Sequence, residues 1–210
     1  MAYSPYRKTE FVGRMNAFWI EPAKKDVMGY LILNANVGDE IPQGTPIKTD
    51  EVNKTAYICR YAHVLAVSND KKVLTVQPGH FIKAGDSVII SGTETAVTVK
   101  SVDANSITLN SALSAGNATL IVGKSVFVAS DAEESESESA SGSSALSIDV
   151  PNRIVCFTEK IDKLHQTVSA AHSGIVLANV VNYPDEYLNK TAFPGSILLA
   201  GCPLLMFTVQ

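Results

Sequence analysis

The chain has 210 residues, 46% of them hydrophobic and only 18% charged, with a formal net charge of −4 from 17 Lys+Arg against 21 Asp+Glu. That supplies apolar material for a core, fits a β-rich surface of Thr, Ser, Asn and Val, and argues against a basic nucleic-acid scanner. No apolar run reaches the ~18 residues that cross a bilayer, and Met1 to Glu10 carries no apolar signal core, so a product made in a cytoplasm is expected.

Residues 1 to 26 read as an N-terminal arm. Tyr3, Tyr6, Phe11, Phe18 and Trp19 are interspersed with Arg7, Lys8, Arg14, Lys24 and Lys25. Their spacing fits neither a helical nor a strand period. Such a segment needs either its own domain or a neighbour to cover its aromatics. Aromatics beside Arg make good interface anchors, and Tyr3, Phe11, Arg14, Phe18 and Trp19 are the candidate contact residues.

Residues 27 to 71 alternate short apolar runs with turns. Tyr30-Leu31-Ile32-Leu33 precedes Gly38-Asp39-Glu40-Ile41-Pro42-Gln43-Gly44-Thr45-Pro46-Ile47, and a polar turn spans Thr49 to Lys54. Tyr57 to Val67 alternates only partly, as a strand covered on both faces for part of its length would.

Residues 72 to 129 give the clearest pattern. Val73-Val76, Ser87-Ile90, Ala96-Val102, Ser106-Leu109, Ala118-Val122 and Ser125-Val128 are short strand-like runs separated by Gly, Pro, Asn and Asp. That spacing predicts a small antiparallel barrel or sandwich inserted into the rest. An internal echo links Gly38-x-x-Ile41-x-x-Gly44-x-x-Ile47 to Gly79-x-x-Ile82-x-x-Gly85-x-x-Val88. Both copies read as tight turns entering strands.

Residues 130 to 147 form a Ser/Glu-rich acidic linker, too polar to offset its ordering entropy by burial. The base domain, begun by residues 27 to 71, resumes at 148 and continues to 210. It opens with a strand at Arg153-Phe157. Thr158 then looks like a helix N-cap, with Ile161, Leu164 and Val168 on one helical face and Gly174 as the stop. Ile175 to Val181 reads as a buried strand, Glu186-Tyr187-Leu188 as a second short helix, and Ser196-Ala200 and Leu204-Val209 as closing strands. The fold class expected is mainly β, built of small antiparallel barrel or sandwich modules with one or two short helices.

No catalytic signature appears. His63, His80, His165, His172, Cys59, Cys156 and Cys202 show neither C-x-x-C nor H-x-x-x-H spacing, so no metal is expected. There is no G-x-S-x-G elbow and no phosphate-binding glycine loop. The cysteines sit in apolar runs and read as small buried hydrophobes. Paired carboxylates such as Asp39/Glu40 fall in turns. The expectation is a protein without enzymatic activity and without a cofactor.

The Gly38 to Ile47 pattern, the Tyr57 to Val67 run, the Ile82-Lys83-Ala84-Gly85-Asp86-Ser87-Val88 module and the Ser/Glu linker together resemble head decoration proteins of tailed bacteriophages. The layout is similar to auxiliary capsid proteins of the crAss-like group. The resemblance implies a virion protein made in the host cytoplasm. It would bind the outside of the capsid, contacting the major capsid protein and further copies of itself, with no nucleic-acid or membrane partner. It would stabilise the shell through repeated contacts. A different class, a carbohydrate- or cell-surface-binding β-module, would need exposed aromatics on the inserted module, where only Phe81 and Phe127 are available.

Overall fold

A computed structural model describes residues 19–90, 96–113, 121–129, 148–149, 151–162, 166–177, 183–184, 187 and 205–208. The fold is mainly β. In chain order the strands are β1 (Trp19–Ile32), β2 (Glu40–Ile41), β3 (Pro46–Asp50), β4 (Thr55–Ile58), β5 (Tyr61–Val67), β6 (Val73–Val76) and β7 (Ser87–Ile90). They continue as β8 (Val97–Asp103), β9 (Ser106–Leu109), β10 (Ser125–Val128), β11 (Arg153–Val155), β12 (Glu159–Lys160), β13 (Thr167–Leu177) and β14 (Leu205–Thr208).

Six strands close into a barrel in the order β10-β5-β6-β9-β8-β7. Alternation explains its interior. Leu74, Val76, Val97, Val99, Ile107 and Leu109 point inward from β6, β8 and β9, each with polar neighbours facing out. β7 and β10 break the alternation, with three consecutive buried residues each. Their outward residues, Ile89 and Phe127, are register partners and pack in a second core that includes Ile154 and Ala171 of the base. Two-sided coverage therefore replaces the amphipathic pattern.

The base is also built on a closed ring. β1 pairs with β4, β4 with β3, β3 with β11, β11 with β13, and β13 returns to β1. Tyr30, Ile47, Ala56, Ile58, Val155, Val168 and Ala170 share its core. The small β2–β12 sheet adds Ile41 and Ile161 to the same core. β14 runs parallel to β13, from Gly174↔Leu205 to Leu177↔Thr208. The barrel's exit and the return to the base meet in one bridge, Ala129↔Ile148.

One local device recurs. Asn36-Val37-Gly38-Asp39, Pro42-Gln43-Gly44-Thr45, Lys83-Ala84-Gly85-Asp86 and Ile121-Val122-Gly123-Lys124 each close a turn by a fourth-to-first backbone bond of 3.0 to 3.2 Å. Each glycine has positive φ, between 84° and 97°. Each glycine N–H donates to one partner carbonyl, and that partner's N–H donates to the carbonyl after the glycine. The partners are Ile161, Val155, Val99 and Val64 respectively. This is a turn with a glycine bulge, which needs a left-handed residue at its third position. A strand follows each turn within two residues: β2, β3, β7 and β10. The internal echo is thus real at Gly38, Gly44 and Gly85. Gly79 shares the positive φ, but the reciprocal bond pair falls at Gly123.

Several expectations need correction. The helix from Thr158 is replaced by β12, a connection and β13, and among the described residues only Tyr187, inside the expected Glu186-Tyr187-Leu188 helix, is helical. Thr158 accepts the Gln43 N–H through its hydroxyl at 3.2 Å, and Glu159 Oε1 accepts the Ser169 N–H at 3.1 Å. Ile161 and Val168 do share a core, from two strands rather than one helix face. Val168 to Ala171 are all buried, with Val168 and Ala170 in the base core and Ala171 in the junction core, as a strand paired with β1 and β11 and covered on both faces requires. Trp19 to Asp26, read as part of the arm, lies in β1, where repeated register shifts against β13 erase a clean period. β5, grouped with the base by its sequence neighbours, is a barrel strand between β10 and β6. Ile121 and Val122 lie in a turn rather than a strand. The acidic linker 130–147, residues 196–200 and most of the Glu186 helix lie outside the described residues.

Candidate functional site

The densest gathering of chemically capable side chains is the junction between barrel and base. The chain enters the barrel there through Cys59 and Arg60, which join β4 to β5. Cys59 N–H donates to the Pro46 carbonyl at 3.0 Å, and the Arg60 carbonyl accepts the Val128 N–H at 3.1 Å. The Arg60 guanidinium meets Asp86 Oδ2 at 2.7 Å, tying the crossing to the turn before β7.

Above that crossing lies an aromatic cluster. Tyr61 meets Tyr187 edge-on at 5.6 Å, and Phe127 meets Tyr187 at 5.5 Å with a tilt of 51°. Tyr61 also meets His63 edge-on at 5.5 Å. Tyr183 is buried and donates its hydroxyl to the Gly44 carbonyl. Burial pushes the Tyr61 and Tyr183 hydroxyls well above the ordinary phenol range, helped by the neighbouring Cys59. Both stay protonated.

His63 Nδ1 lies 3.0 Å from Ser125 Oγ, a cross-strand pair of β5 and β10. Ser125 is only 3% exposed. Its oxygen is satisfied inside the wall and is not presented to a substrate. Cys59 and Cys156 are buried free thiols in the same core. Burial, with Asp149 adding to it, raises the Cys59 thiol well above its usual range, the reverse of an activated nucleophile. The junction is chemically a packing surface.

The remaining histidines separate. His80 lies between β6 and β7, His172 lies in β13, and His165 is outside the described residues. Among the described residues no group of three or more His, Cys, Asp or Glu could hold a metal ion, and no helix is long and apolar enough to cross a membrane. Of the five candidate interface residues, Trp19 opens β1 opposite Val176 of β13. Tyr3, Phe11, Arg14 and Phe18 lie outside the described residues. Phe127 is 1% exposed and Phe81 packs against the base core, so neither offers a ring face for a sugar.

The surface carries features the sequence did not single out. At the β3–β4 tip, Asp50 accepts from the N–H groups of Val52 and Asn53 and from the Asn53 side chain. Glu51 accepts from Tyr30 at 2.7 Å, Arg153 at 2.8 Å and Lys54 at 3.0 Å. This braced tip holds Val52 90% exposed. An apolar residue inside the polar Thr49 to Lys54 turn was the available signal. Val37 and Val122, also exposed, occupy the same second position in two of the glycine turns, where an extended backbone suits a β-branched residue.

No family model, no curated protein and no solved structure matches this chain.

Proposed function

We propose that this chain is a structural protein of a tailed-phage particle, binding the outside of the shell and stabilising the lattice of the major capsid protein. The observation that carries the reading is how the N-terminal residues join the fold. The arm sequence runs into β1, which is paired with β13 from Trp19 to Leu31. A braced strand gives the aromatic, Arg-bearing sequence that precedes it a fixed attachment to the fold. Two closed rings sharing a core, with buried thiols and a buried Ser125–His63 pair, suit a scaffold better than a reaction site. The sequence resemblance supplies the partner, and the chain carries no catalytic role in this reading.

The test is co-sedimentation and cryo-electron microscopy of the purified chain with empty capsids of a crAss-like phage. Stoichiometric, symmetry-ordered density on the outer surface is expected. A chain starting at Trp19 should keep its thermal midpoint and lose capsid binding. A full-length chain that stays monodisperse and ignores capsids would refute the reading.

A further inference from the structure

The segment from His80 to Asp86 fastens the barrel to the base. Adjacent residues point into different cores: Phe81 packs against the interior of the base ring, and Ile82 is buried inside the barrel. Lys83 Nζ donates to the Asn34 carbonyl at 3.4 Å and lies 4.0 Å from Asp39 Oδ2. Asp86 holds Arg60 and caps the turn by accepting the Lys83 N–H at 2.7 Å. This one stretch therefore makes an apolar, a carbonyl and an ionic contact to the base, beside the Ile89 and Phe127 packing of the junction core.

His80 stands at its start, just after the Pro78-Gly79 turn. Both of its ring nitrogens are buried and neither has a hydrogen-bond partner. A neutral imidazole always carries one donor and one acceptor, so this ring is held with its polar capacity unmet. A protonated ring would carry two donors and a charge in the same place, which is less tolerable still.

We propose that His80 is an acid-sensitive release for this clasp: protonation expels the ring toward water and withdraws Phe81 from the base core, loosening the barrel from the ring beneath it. The charged groups around the segment do not replace the missing partners. On its own stretch Lys83 and Asp86 are engaged with Asp39 and Arg60. β8 contributes Asp103, whose side chain accepts from Ser106. The Asp103 backbone lies near enough to favour the charged ring slightly without bonding to it, and burial outweighs that, holding the ring below the usual 6.5. The released segment therefore takes up a proton before the closed one does. Opening is favoured as pH falls below 6.5, by up to roughly tenfold per pH unit until the closed ring itself titrates.

The experiment is hydrogen exchange with mass spectrometry on the full chain at about pH 7.5 and about pH 5, spanning the ordinary histidine range. Exchange is corrected for its intrinsic pH dependence, and β9 serves as the internal reference. Protection over residues 80–86 should fall by about tenfold or more on acidification while β9 is unchanged. His80→Gln keeps a polar side chain without the titration and should flatten the response. His80→Leu serves the same end should the Gln variant not fold, and a histidine-detected NMR titration of the unaltered chain should place the ring below 6.5. Undiminished protection at the lower pH, an equal loss in the variants, or a ring titrating at or above the ordinary value would each overturn the proposal.

Discussion

Gly123 and Val64 exchange backbone hydrogen bonds unequally: Gly123 donates to the Val64 carbonyl at 2.9 Å, while Val64 donates to the Lys124 carbonyl at 2.9 Å. Two residues oppose one, which turns β10 into register with β5. The same offset at Gly38, Gly44 and Gly85 starts three other strands. An added Cβ at Gly38, Gly85 or Gly123 would meet no atom within 4 Å, so the cost of a side chain there is conformational alone. Ala at each of these positions should destabilise the chain by about 1–2 kcal/mol, and Asn by clearly less, because Asn tolerates the left-handed region. Urea denaturation midpoints of the six variants test this. Equal losses for Ala and Asn would mean that something other than φ is at stake.

The bracing of the β3–β4 tip should be visible in stability and in its pH dependence. Tyr30 is fully buried except for its bond to Glu51, so Tyr30→Phe should cost about 1–2 kcal/mol. The Tyr30 hydroxyl, with Lys54 and Arg153 assisting, holds the Glu51 carboxyl below its ordinary 4.5. Its contribution is therefore present above that value and is lost as pH falls through the lower folded-state value. Glu51 is about half exposed, and the pH-dependent part should be under about 1 kcal/mol. Denaturation of both proteins from about pH 7 to about pH 3 should show a shallower acid loss for Tyr30→Phe.

Arg60 and Asp86 form the least exposed ion pair of the described residues, at 17% and 15% side-chain exposure. Asp86 also accepts the Lys83 N–H, so the two partners are not equivalent. Asp86→Ala should cost about 2–4 kcal/mol, more than Arg60→Ala, because it strands both the guanidinium and a turn N–H. Thermal unfolding should show the larger shift for Asp86→Ala. The opposite order would mean that the aliphatic stem of Arg60 matters more than its charge.

Cys59 and Cys156 should resist thiol reagents in the native protein. Both are buried in the junction core, and the Cys59 thiol is pushed up by burial. Peptide mapping after iodoacetamide treatment at about pH 8 should find both unmodified, with full labelling only in denaturant. Native labelling of either would mean that the junction opens on the timescale of the reaction.

Much of the architecture was legible in the chain. β6 and β9 lie where alternating runs placed them, because a barrel strand with one wet face writes its period into the sequence, and β7 and β10, covered on both faces, lie where continuous apolar runs between turn residues placed them. The glycine turns were legible as well, since a left-handed position selects Gly. The sequence also marked Cys59 and Cys156 as small buried residues and put the paired carboxylate Asp39 in a turn.

What the tertiary structure decided concerns pairing across long separations. Whether Ile161 and Val168 belong to a helix or to two strands depends on β1 and β11 standing ready on either side of β13, which no local window contains. β5 belongs to the barrel because β10, some sixty residues later, closes on it: Ser125 pairs with His63. Tyr187 is a junction residue only because Tyr61 and Phe127 converge on it. The isolation of the His80 ring follows from packing that no composition records. Local sequence fixes which face of a strand is apolar, through side-chain period and turn chemistry. Which partner covers that face is set by ring closure, a global condition that every strand must satisfy at once.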